Sequence, residues 1–133
     1  MIFIDSGALV ARYARRDQYH QRALKTWGRI DSSGEACFTT NFVLNEAFTL
    51  LARRAGYDFA AAKARSIYES RRFRVLRPVE EDELSALQLF EKYADQSIGF
   101  ADCVSFVLMR KSRLKRVFTF DRHFALAGFD IVG

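Results

Sequence analysis

The sequence has little of several features that would identify a class quickly. Its 133 residues hold two cysteines, one proline, seven glycines and a single tryptophan. Cys37 and Cys103 lie far apart and match neither a metal-binding spacing nor a redox pair, so they read as small buried apolar side chains. No apolar run approaches the roughly 20 residues that a membrane helix needs, and no membrane contact is expected. Met1 leads directly into Ile-Phe-Ile-Asp, without the basic region and apolar stretch of a signal peptide, so the expected location is the cytoplasm. There is no internal repeat, no low-complexity tract, no P-loop pattern and no nucleophilic triad. No shift in composition marks a linker, and one domain over residues 1–133 is expected.

What is present in quantity is apolar. Half of the residues are hydrophobic and 13 are Phe, enough for a sizeable core and too much for a disordered chain. Lys and Arg outnumber Asp and Glu by 21 to 16, a net charge of +5. That balance leans towards a polyanionic partner such as nucleic acid.

Along the chain, short apolar runs alternate with amphipathic stretches. Ile2-Phe3-Ile4 reads as a buried strand ending at Asp5, with Ser6 capping a helix to Arg15. A second helix is expected from Asp17 to about Arg29, with Tyr19, Ala23 and Trp27 on one stripe. Ser32-Ser33-Gly34 reads as a turn, Ala36 to Thr40 as a strand, and Asn41 as the cap of a helix that stops near Gly56. A further helix over Phe59 to Arg71 leads to a strand, Phe73 to Leu76, closed by Pro78. Glu80 to Glu83 belong in the first turn of the next helix, where carboxylates suit the helix dipole. Phe100 to Met109, apolar almost all round, should be a buried helix. Val117 to Phe120 and Phe129 to Val132 complete the strands. Strands of this kind alternating with helices imply a parallel sheet covered on both faces, a three-layer α/β/α sandwich.

In such sheets ligands bind beyond the carboxyl ends of the strands. Asp5 follows the first strand, Glu46 lies in the helix after the second, Asp102 begins the buried helix and Asp121 follows the Val117 strand. The element order places all four at one edge. Asp102 and Glu46 each interrupt an apolar stretch, where a carboxylate is unfavourable unless paired or bound to a cation. Two like charges about 4 Å apart repel by roughly 4 kcal/mol at an effective dielectric near 20. No Lys or Arg lies within three residues of Asp5, Glu46 or Asp102, although Arg122 adjoins Asp121. A divalent cation is the simpler compensation. Oxygen ligands favour magnesium or manganese over zinc, and His20, His123, Cys37 and Cys103 show no zinc-type grouping. Metals held this way suit phosphodiester hydrolysis by an activated water.

Four segments carry a resemblance: Ile4-Asp5-Ser6-Gly7-Ala8-Leu9, Thr39 to Glu46, Ile98 to Cys103, and Phe118 to Phe124. In order and spacing they resemble the PIN-domain family, and within it the VapC-type toxins of toxin–antitoxin pairs. The resemblance implies a PIN-like fold and a magnesium-dependent endoribonuclease, with manganese as an alternative ion. It implies Asp5 and Asp102 as principal metal ligands, with Glu46 holding metal directly or through water. Asp121 would complete the pocket or bind a second ion. Ser6 and Thr119 match small hydroxyl positions near the acids, and Thr40 and Asn41 form the polar step before Glu46. The family also implies a homodimer and a small antitoxin whose basic side chain enters the acidic pocket.

Other residues have plainer readings. The basic run Arg110 to Arg116 is expected to be a helix C-terminus and a solvated turn rather than an RNA contact. His123 is expected to pack at the start of a short helix. Tyr13, Tyr19 and Trp27 are expected in the core or at a dimer face rather than stacked on bases. Three alternatives to the toxin stand beside it: a housekeeping PIN nuclease of RNA maturation, a non-catalytic interaction module, and a phosphoacceptor receiver domain. The last fits poorly, because Asp5 is followed by Ser-Gly and Asp121 by Arg122.

Overall fold

The computed structural model describes all 133 residues. Five strands form one sheet in the order β3-β2-β1-β4-β5. They are β1 (Ile2–Ile4), β2 (Cys37–Thr40), β3 (Phe73–Leu76), β4 (Arg116–Phe118) and β5 (Asp130–Val132), and every neighbouring pair is parallel. Seven α-helices connect and cover them: α1 (Ser6–Tyr13), α2 (His20–Ser33), α3 (Asn41–Ala55), α4 (Tyr57–Glu69), α5 (Glu80–Lys92), α6 (Phe100–Lys111) and α7 (His123–Leu126). The α/β/α architecture expected from the sequence is the one observed. No helix is long and apolar enough to cross a membrane.

Alternation along the strands divides the core between two faces. Phe3 pairs in register with Val117 and Ile4 with Phe118, so Phe3 and Phe118 point to opposite faces. On the Phe118 face lies the Trp27 indole of α2, with ring centroids 5.3 Å from Phe118 and 6.2 Å from Phe73. Trp27 Nε1 donates to the Ala8 carbonyl at 3.0 Å, which ties α2 to α1. On the Phe3 face, Phe124 of α7 lies 6.4 Å from Phe3 and meets Phe106 of α6 edge-on at 5.0 Å. Ile2, Phe3 and Ile4 are fully buried, as a central strand covered on both sides must be.

The structure corrects several boundaries, each for a local reason. Asp5, not Ser6, occupies the N-cap position of α1, and its side chain makes no cap bond because it is turned elsewhere. Thr40, not Asn41, caps α3, its Oγ1 accepting from the Val43 amide at 3.0 Å. Helix α2 begins at His20 rather than Asp17, since Asp17 Oδ1 accepts from the Tyr19 amide at 2.9 Å and holds a turn there. Ser32 and Ser33 are the last turn of α2, and Gly34 alone supplies the left-handed stop at φ 66°. Strand β4 ends at Phe118, two residues short of the expectation.

Several residues of the basic segments have internal partners. Arg110 donates to the Ala127 carbonyl at 2.8 Å, Lys111 pairs with the buried Asp82 at 3.2 Å, and Arg116 pairs with Glu35 at 2.7 Å. Arg72 donates to Asp31 at 3.1 Å and to the Ile30 carbonyl at 2.9 Å.

Replacing Trp27 by Ala removes a filled volume between α2 and the sheet together with one buried hydrogen bond. A loss of about 3–5 kcal/mol in urea unfolding is expected. Thr40→Ala is expected to cost about 1 kcal/mol, the usual loss for an N-cap hydroxyl.

Candidate functional site

The strand order reverses direction between β1 and β4, and a parallel sheet opens a crevice at such a point. Asp5 leaves the end of β1, where its amide donates to the Phe118 carbonyl of β4 at 3.0 Å. Thr119 and Asp121 leave the end of β4. Glu46 comes from the second turn of α3, and Asp102 from the first turn of α6.

The carboxyl of Asp5 is nearly out of water, at 7% exposure. Thr119 Oγ1 donates to Asp5 Oδ2 at 2.7 Å and accepts from the Asp121 amide at 3.0 Å. One hydroxyl thus orients two of the acids. Burial pushes the Asp5 carboxyl up to about 6, against the lowering effect of the Thr119 and Ser6 donors; the charges of Asp121 and Glu46 push the same way as burial. Burial also raises Asp102, to about 7, and the charges of Asp5, Asp121 and Glu46 add to it. The Asp102 and Asp121 carboxyls are close enough to share a proton, which favours the neutral form of Asp102.

Donor atoms of Asp102, Asp121 and His123 lie within 4.8 Å of one another. The Asp121 carboxylate also accepts from the His123 amide at 2.9 Å, fixing the start of α7. The His123 ring places Nδ1 3.1 Å from Asp121 Oδ1, out of alignment for a hydrogen bond. Glu46 is exposed and lines a cleft of about 400 Å³ with Asn41, Phe42, Asn45 and Ala101. Its charge reaches Asp5 and Asp102, but it stands outside the closest group, as does Asp5.

The supporting residues separate as well. Thr119 binds two of the acids' groups directly. Ser6 contributes its backbone N–H to Asp5 rather than its hydroxyl. Thr40 is committed to capping α3, and Asn41 places its Oδ1 in a buried position without a hydrogen-bond partner. Two features escaped the sequence reading. His123 does begin the short helix α7, as expected, but its place within the acid group was missed, and the Asp-x-His spacing after a strand was the one available signal. Thr39, fully buried, donates to the Ile4 carbonyl at 3.0 Å and braces the residue before Asp5; nothing in its sequence context marks it.

None of the four carboxylates has a Lys or Arg nitrogen within 4.0 Å. A cluster of mutually repelling acids around the buried Asp5, without a protein counter-charge and rich in carboxylate oxygen, fits a hard divalent cation.

Comparison with known proteins agrees with this layout. Residues 2–130 match the family model of the PIN domain. The chain belongs to the PIN-domain family. The 23S rRNA-specific endonuclease VapC20 of Mycobacterium tuberculosis (strain H37Rv) is 33% identical to it over 129 residues, covering 97% of this chain and 95% of that protein. Ribonuclease VapC26 of the same strain is 31% identical over 125 residues, covering 93% and 90%. The crystal structure of Mycobacterium tuberculosis VapC20, described as a sarcin-ricin loop cleaving toxin, superposes with a TM-score of 0.87. Identity there is 32%, over 97% of this chain and 96% of that one. FitAcB from Neisseria gonorrhoeae shares the fold at a TM-score of 0.70 and 19% identity. The family and the layered parallel fold read from the sequence both hold.

The raised carboxyls give a signed pH dependence. Asp5 and Asp102 bind protons more tightly in the folded state than in the unfolded chain, so stability without metal falls as pH rises from about 4 to about 7. Thermal unfolding in chelator should therefore give a higher Tm at pH 5 than at pH 8. Asp5→Asn should raise Tm at pH 8, by an amount of order 2–3 kcal/mol in stability, and saturating magnesium should remove most of the pH dependence. An Asp5→Asn protein no more stable than wild type at pH 8 would refute this account of the site.

Proposed function

We propose that residues 1–133 act as one endoribonuclease domain of the VapC toxin type, which hydrolyses RNA phosphodiester bonds with a divalent metal ion. The observation that carries this reading is the convergence of Asp5, Glu46, Asp102 and Asp121 at the switch point of a PIN fold, with no protein cation among them. The names of the relatives, an rRNA-specific endonuclease and a ribonuclease, support RNA as the substrate class.

Asp102 and Asp121 would hold the ion, joined by Asp5, while Glu46 would contribute from the open side of the pocket. The predominance of carboxylate oxygen favours magnesium, with manganese able to replace it, and the His123 nitrogen is the one softer donor nearby. When bound, the ion acts as a Lewis acid that lowers the pKa of water and offsets charge on the phosphodiester oxygens. Thr119 keeps the Asp5 carboxylate oriented and holds the Asp121 backbone in place. The apolar floor formed by β1 and β4 keeps water from solvating Asp5, so its charge is available to a cation rather than to solvent.

A VapC-type enzyme would be restrained by a small antitoxin, and a basic side chain from that partner would answer the uncompensated acids. The exposed apolar side chains of Leu84, Leu87 and Phe90 on α5 support a homodimer. Such an enzyme would work in the cytoplasm, where its RNA substrate lies.

Cleavage of a mixed-sequence RNA should require magnesium or manganese and stop with chelator. Asp5→Asn and Asp102→Asn should each reduce the rate by at least about a hundredfold, the scale of losing an essential catalytic group. Cleavage by either variant at the wild-type rate, or cleavage indifferent to chelator, would sink the mechanism. Expression without an antitoxin should arrest growth of the host. Unaffected growth with cleavage intact would favour a housekeeping role.

A further inference from the structure

The charge of the molecule poses a problem that the acid pocket does not solve. A pocket of four carboxylates repels an RNA strand, so the strand must be held by groups elsewhere on the surface. Arg12, Arg22, Arg54, Arg72, Arg110 and Arg116 are already committed to internal partners. Among the others, Arg15 and Arg16 stand side by side at one cleft. A cleft of about 690 Å³ opens where α1 ends, between residues 13–18 and the α3–α4 turn. Arg15 and Arg16 stand on its rim, exposed and without an ion-pair or hydrogen-bond partner. Tyr13 and Phe59 form apolar walls, with Lys63 Nζ 5.1 Å and 5.2 Å from their ring centroids. The one acid in the lining, Asp17, is already paired with Arg54 at 2.8 Å.

The cleft is rigidly made. Asp17 accepts from the Tyr19 amide as well as from Arg54, and the His20 ring donates to the Ala11 carbonyl at 2.6 Å, so residues 14–19 are pinned at both ends. Gln18 of the cleft lining is followed by Tyr19, which leads towards the acids. Tyr19 stacks on Phe120 at 4.4 Å and 9°, Arg22 lies over both rings, and Phe120 sits between Thr119 and Asp121. From Asp5, the eight residues of α1 span about 12 Å to the cleft.

We propose that this cleft, formed by Tyr13, Arg15, Arg16 and Phe59, is a binding site for single-stranded RNA that holds the strand leading away from the acid pocket. The arginines contact phosphates and the rings stack on bases, the combination that sequence-tolerant single-strand binding uses. It rests on the ribonuclease reading for its ligand. An acidic protein segment is the competing occupant, and the test separates the two.

The test measures binding of a fluorescent single-stranded RNA of mixed sequence to Asp102→Asn protein over a range of salt. Adding Arg15→Ala and Arg16→Ala should weaken binding about tenfold or more near 0.1 M salt. It should also reduce the slope of log affinity against log salt by about 1.4, at about 0.7 per lost phosphate contact on a single strand. Phe59→Ala should weaken binding and leave the slope unchanged. A control removing the same charge elsewhere, Arg113→Ala with Lys115→Ala, should have a clearly smaller effect. An unchanged slope with Arg15 and Arg16 removed, or an equal loss in the control, overturns the proposal and leaves the surface to a protein partner. Wild type that binds RNA through this cleft but cuts none would instead sink the nuclease reading alone.

Discussion

Asp5 leaves the central strand with its carboxyl almost out of water, held by a 2.7 Å hydrogen bond from Thr119 just beyond the neighbouring strand. A carboxylate in that position needs either a proton or a cation, and the fold supplies no Lys or Arg. The surrounding structure is organised around that need. Thr39 braces the turn out of β1 through the Ile4 carbonyl, Thr119 aims the acid, and Asp102 is delivered by a helix whose buried face locks its position. The strain of gathering like charges is carried by the core beneath them, where Phe3, Phe106, Phe118, Phe124 and Trp27 fill both faces of the sheet.

Much of this was legible in the sequence because parallel sheets convert order into position. A short apolar run followed by an acid, repeated after another run, places both acids at one edge without any knowledge of side-chain geometry. Strand β3 was legible to the residue, since β-branched and aromatic residues were bounded by Pro78. What was not legible depends on competition between neighbours. Asp5 and Ser6, or Thr40 and Asn41, are equally good caps on propensity, and tertiary contacts decide between them. Asp5 forgoes capping because Thr119, more than a hundred residues later, claims its carboxyl. Asp17 reads as a helix start, yet its own side chain holds the preceding turn.

The distances within the site were the least accessible. The family resemblance ranked Glu46 ahead of Asp121, whereas the folded chain puts Asp121 beside Asp102 and leaves Glu46 on the open side. That difference arises because Asp121 is fixed by a backbone bond to Thr119, while Glu46 rides one turn further along a helix that points away. His123 entered the group for the same reason: the turn held by Thr119 and the Asp121 carboxylate starts α7 beside the acids. The basic run before β4 followed the plainer expectation, with Arg110, Lys111 and Arg116 all bound within the molecule.

The hydrogen bond between Thr119 and Asp5 joins residues 114 positions apart. During synthesis, β1 and its acid emerge more than a hundred residues before β4. Until then β1 lacks one of its two flanking partners, and Asp5 lacks the hydroxyl that orients it. A nascent chain is therefore chemically incomplete at this site until β4 has emerged, and the acid centre closes only as that strand docks. The connectivity of the sheet thus sets the order in which the centre can be assembled.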